Sequence, residues 1–145
     1  MLLTYRHAAL SSKARSDASQ LENVADLAAL LHPLLPIDPK AERNWRVWFS
    51  FWGLAIADPE FAAEQRLRVR GIIDRIADCL AADPRFAHLD EQQHPAIASA
   101  VLSSLIGIAT QAIFDPEAWP PERQVRSINE MLTRTSSRNV DEGEE

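Results

Sequence analysis

At 145 residues, with 46% hydrophobic and 25% charged residues, the chain has the length and balance of one globular domain, which excludes a fibrous repeat and wholesale disorder. A formal net charge of -6 sets it against phosphate, so it does not read as a nucleic-acid binder on its own. Its one cysteine, Cys79, allows neither an intrachain disulfide nor a cysteine-rich zinc site and fits a reducing cytoplasm.

The opening MLLTYRH lacks the basic start, apolar run and small-residue cleavage site of a secretory signal. From there helical period dominates, glycine is scarce, and no alternating segment is long enough to make a strand. A first helix over about 2–14 places Leu3, His7, Leu10 and Ala14 on one face. A second, over about 18–31, repeats Leu21, Val24, Ala28 and Leu31 at three- and four-residue steps until Pro33 and Pro36 close it.

Asp38-Pro39 and Asp58-Pro59 are both helix starts. The carboxylate accepts orphan backbone N–H groups, and proline in the first turn gives up an N–H that had no partner. The helix after Asp38 carries Trp45, Val47, Trp48, Phe49, Phe51, Trp52, Leu54 and Ile56, too many large apolar groups for one stripe, and is expected to run through the centre. The next, over about 60–81, shows a face of Val69, Ile72, Ile73, Ile76 and Leu80 and is expected to lie across the surface of the bundle. Its Arg66, Arg68, Arg70 and Arg75 are interleaved with Glu60, Glu64, Asp74 and Asp78, the pattern of a solvated mixed-charge face rather than of a phosphate-binding stripe.

Residues 83–91 form a connector. From Gln92 to Phe114 no Asp, Glu, Lys or Arg occurs, a stretch long enough to cross a bilayer. Its Ala and Ser content, Thr110 and Gln111, and its lack of flanking aromatic and basic anchors make it instead a helix buried in protein on nearly all sides. DPEAWPPE is a loop, and Pro120-Pro121 launches a last helix with a stripe of Val125, Ile128 and Leu132. The expected architecture is all-α, a single bundle of about six helices over residues 1–134, followed by a disordered polar tail over 135–145.

In RVWFSFWGLAIADPEFAAEQRLRVRGIIDRI the sequence resembles the C-terminal ligand-binding and dimerisation domains of TetR-type transcriptional regulators, above all the BetI-like branch. LAALLHPLLPID before it, LIGIATQAIFDP after it and RQVRSINEMLTR at the end follow the order of that branch. The resemblance covers roughly residues 2–134 and implies a cytoplasmic homodimer whose last two helices pair with their symmetry mates in a four-helix arrangement. The helix-turn-helix that precedes such domains has no counterpart in this sequence. What the resemblance implies is therefore a repressor's effector-binding module, with direct DNA contact left to a unit outside this chain.

Trp45, Trp48, Phe51 and Trp52 cluster at helical spacing, the commonest meaning of which is core packing. Trp48, Phe51 and Trp52 also have the spacing to line a cavity beside Tyr5, with Gln65 and Arg68 of the following helix as orienting polar groups for an apolar or cationic effector. Ser99, Ser103, Gly107 and Gln111 recur every four residues on the uncharged helix, where small side chains allow close helix approach. Together with Val125, Ile128 and Leu132 they make the expected dimer surface.

His7, His32, His88 and His94 lack metal-site spacing and read as loop residues, and Cys79 as a structural thiol. No metal or cofactor is expected. With no phosphate loop, nucleophile elbow or metalloprotease helix, neither is catalysis. The competing readings are an interaction protein that forms mixed dimers with a complete relative, and a small helical enzyme.

Overall fold

The computed structural model describes residues 27–141, with side chains as far as Arg138. The helix expected over 2–14, with Tyr5, and most of the one expected over 18–31 lie outside the described residues. The elements are α1 (Leu27–Leu31), which tightens into a 3-10 turn (His32–Leu34), α2 (Pro39–Ala57), α3 (Pro59–Ala82), α4 (Gln93–Phe114) and α5 (Pro121–Asp141). No strand occurs among the described residues, and the fold class is all-α.

The Asp-Pro pairs act as their chemistry dictates. Asp38 Oδ1 accepts the N–H of Ala41 at 2.8 Å, and Asp58 Oδ1 accepts that of Glu60 at 2.9 Å. Asp58 also donates its own N–H to the Leu54 carbonyl at 3.0 Å, so one residue closes α2 and opens α3 with no loop between them. After α3, the buried Asp83 carboxylate accepts the N–H of Arg85 at 2.9 Å and its guanidinium at 2.8 and 3.1 Å. That turn drives Phe86 and Leu89 into the interior. Asp90 Oδ1 then accepts the N–H groups of both Gln92 and Gln93 at 2.9 Å, so α4 begins before Pro95, which sits in a first turn where its missing N–H costs nothing.

The core joins Leu27, Leu31 and Leu35 to Ile76 and Leu80 of α3, Phe86 and Leu89 of the connector, Ala98, Val101, Leu102, Leu105 and Ile108 of α4, and Ile128 and Leu132 of α5. The central helix is thus α4, not the tryptophan-rich α2, whose Ile56 is 89% exposed. The reason is packing distance. Ala98, Ala109 and Ala112 let neighbours approach α4 closely, whereas the wide α2 side chains pack mainly on each other at the edge. α3 lies between the two, packed against both, rather than across the outside.

Three further expectations change. α4 is buried on one face only: Ser99, Ser103 and Gln111 are exposed, and Phe114 is 83% exposed. It is long and apolar enough to cross a membrane, but its buried face is the centre of the bundle. Histidine placement differs too. His94 is buried in the first turn of α4 with Nε2 donating to the Phe86 carbonyl at 3.0 Å, and His32 Nε2 donates to Asn129 Oδ1 at 3.0 Å. His88 alone among the described histidines stays in a loop. Finally, α5 runs on to Asp141 instead of giving way to a tail at Thr135. The hydroxyls of Thr135, Ser136 and Ser137 turn back to carbonyls of their own helix, so these polar side chains find partners without leaving it.

Candidate functional site

The seam between α2 and α3 is held at its closed end by Phe51 and Phe61, whose rings meet edge to face at 5.5 Å. Counted from the turn at Asp58, Trp52 and Gln65 stand six and seven residues along their helices, and Trp48 and Arg68 ten each. Gln65 and Arg68 continue the α3 face that Phe61 begins, at four- and three-residue steps. The α2 side of the seam is aromatic. Trp45 meets Trp48 at 5.3 Å and Trp52 at 6.4 Å, both edge to face, and Phe49 meets Trp52 at 5.4 Å. Trp45 is anchored by its Nε1–H, which donates to the Leu34 carbonyl at 2.7 Å.

Phe51 is buried, Trp48 and Trp52 are half-buried, and Tyr5 lies outside the described residues. Three atoms here are buried without a hydrogen-bond partner: Trp52 Nε1, Gln65 Oε1 and Arg68 Nη1. Buried polar groups are nearly always satisfied, so three unfilled ones on two helices packed against each other mark this region. Arg68 Nη2 is held by Glu64 at 2.6 Å, and burial pulls the guanidinium below its ordinary pKa.

A fourth unpartnered atom, Gln124 Oε1, lies elsewhere, at a cleft of about 190 Å³ edged by Pro36, Pro39 and Trp119. Gln124 Nε2 donates to the Trp119 carbonyl at 3.0 Å and ties the start of α5 to its flanking loop. Sequence reasoning passed over it, although it stands four residues before Ile128 on that buried stripe. Cys79 is half-buried against the core, and burial, with Asp78 adding to it, pushes its thiol pKa up, the opposite of an activated cysteine.

Residues 23–136 match the family described as BetI-type transcriptional repressor, C-terminal. The chain belongs to that family. No curated protein and no solved structure matches it. BetI-type C-terminal domains are, as a kind, the ligand-binding and dimerisation parts of transcriptional regulators and not enzymes. Among the described residues of this BetI-type domain, the α2–α3 seam carries three unused hydrogen-bonding groups beside an aromatic wall, and the cleft at Gln124 carries one.

The surface available for pairing differs from the one expected of the BetI-type chain. Ser99, Ser103, Gly107 and Gln111 do share the open side of α4, where Ser103 Oγ turns back to the Ser99 carbonyl at 2.9 Å. On α5, however, Ile128 and Leu132 are fully covered within the single chain, because their stripe faces the core, and Val125 is half-buried. What α5 leaves open is a groove along Pro121, Glu122, Val125, Arg126, Asn129, Glu130, Thr133 and Arg134. Along it Glu122, Arg126, Glu130 and Arg134 alternate in sign at four-residue steps.

Proposed function

We propose that this chain is the effector-sensing and dimerising module of a transcriptional repressor. A small molecule enters the α2–α3 seam and shifts the helices, and the shift changes the spacing of two DNA-reading units across a twofold dimer. The observation that carries the reading is the trio of buried, unpartnered atoms on Trp52, Gln65 and Arg68 beside an aromatic wall, inside a domain of a ligand-binding family. Pairing is supported by the open, uncharged side of α4, where Ser99, Ser103 and Gly107 let a second helix approach closely.

Two measurements test it. Light scattering at micromolar concentration is expected to give twice the chain mass, and a monomer there overturns the dimer. In a protein that carries this domain behind a helix-turn-helix, the compound that raises the melting temperature of the domain is expected to change operator affinity in a gel shift. An unchanged affinity overturns the switch.

A further inference from the structure

Outside the seam, Gln124 carries a buried atom with no partner. The residue is 2% exposed, and its Nε2 donates to the Trp119 carbonyl at 3.0 Å and to the Pro36 carbonyl at 3.4 Å. Two carbonyls on the nitrogen fix which way the amide points, because a flipped amide would set oxygen against oxygen. Oε1 is therefore an acceptor that lacks a donor. Gln124, Trp119 and Pro36 all line the cleft of about 190 Å³, where the starts of α2 and α5 meet the end of α4.

The cleft is poor in donors and negative in charge. Pro36, Pro39, Pro116 and Pro121 line it, and proline has no backbone N–H to give. Its charged side chains are Asp38 and Glu42, whose carboxylates accept. Asp38 uses Oδ1 to cap α2, and Glu42 is held by Arg46 of its own helix at 2.9 Å. Arg123 lies over the Trp119 ring at 3.9 Å and donates to the Ala118 carbonyl, and neither it nor Arg46 is among the lining residues. The wall thus carries two negative side chains and no positive one, between apolar surfaces that strengthen their field.

We propose that this cleft, separate from the seam, binds a small primary ammonium ion. One N–H donates to Gln124 Oε1, the positive charge lies toward the wall that carries Asp38 and Glu42, and a short alkyl chain runs along the prolines. A quaternary ammonium matches the charge but has no N–H, and an alcohol has the donor without the charge, so each meets half of what the cleft presents.

Calorimetric titration of the whole chain with butylammonium, butyltrimethylammonium, butanol and butyrate tests this, together with NMR of the Gln124 side-chain amide. Butylammonium is expected to bind saturably at millimolar concentration and to shift the Gln124 amide resonances, with each of the other three about ten-fold weaker or more. Asp38→Asn keeps a capping oxygen and loses one charge, and Glu42→Gln loses the other. The double variant is expected to bind butylammonium about ten-fold more weakly, with the circular dichroism of the parent. Butyltrimethylammonium that binds as tightly as butylammonium overturns the hydrogen bond to Gln124 and with it the proposal. So does binding that the double variant leaves unchanged or that does not move the Gln124 amide. If nothing binds saturably, a water is the partner of Gln124 and the cleft is no ligand site. Each of these failures leaves the seam reading standing, since the two regions share no residue.

Discussion

Asp83 shows how much one residue can hold. Its carboxylate accepts the backbone N–H of Arg85 and two of its guanidinium nitrogens, and the side-chain bonds from Arg85 hold its pKa below the usual carboxylate range against the opposing effect of burial. A group whose folded pKa is depressed stabilises the fold above its unfolded value, about 3.9 for Asp, and loses that contribution as pH falls through the folded value. Asp83→Asn is therefore expected to lower the melting temperature at neutral pH while flattening its decline below about pH 4. Asp83→Ala is expected to cost roughly 1–3 kcal/mol in urea denaturation, because the turn that buries Phe86 loses its acceptor. At this scale the sequence was legible in part. The spacing of Trp48 and Trp52 set their rings side by side, but the unused atoms on Trp52, Gln65 and Arg68 depend on rotamers and on which neighbours fail to reach them, which no periodicity encodes.

Helix starts were the most readable elements, because a cap is local chemistry. Asp58→Ala is expected to cost about 1 kcal/mol by thermal denaturation, as is Asp38→Ala, since each leaves a first-turn N–H without its acceptor. What the pattern concealed was order of burial: α2 has the larger apolar side chains, yet α4 with its alanines is central, because close approach of helices outweighs side-chain size. Gly107 probes the open side of α4. A Cβ there meets nothing within 4 Å in the single chain, so Gly107→Ala is expected to stabilise the fold by roughly 0.5–1 kcal/mol through helix propensity. Gly107→Arg is expected to keep the helical circular dichroism and to shift the light-scattering mass to that of a monomer. A dimer that survives the arginine would move the interface off this face.

For the molecule as a whole, occupancy of the seam is linked to folding. A ligand at one hundred times its dissociation constant is expected to add about 2.7 kcal/mol of stability, read as a rise in melting temperature, and about half of that where a substitution weakens binding ten-fold. The order of signs along the groove of α5 has a separate consequence. Where two copies of α5 run antiparallel with Ile128 at the midpoint, Glu122 faces Arg134 and Arg126 faces Glu130; a slip of one turn sets Glu122 against Glu130 and Arg126 against its own copy. Glu122→Arg is then expected to weaken self-association, and adding Arg134→Glu to restore it, as read by sedimentation. An apolar surface accepts any apolar surface, but a sequence of alternating signs can refuse a sibling regulator with a different order, so loyalty among co-expressed relatives would be written in the charges of α5.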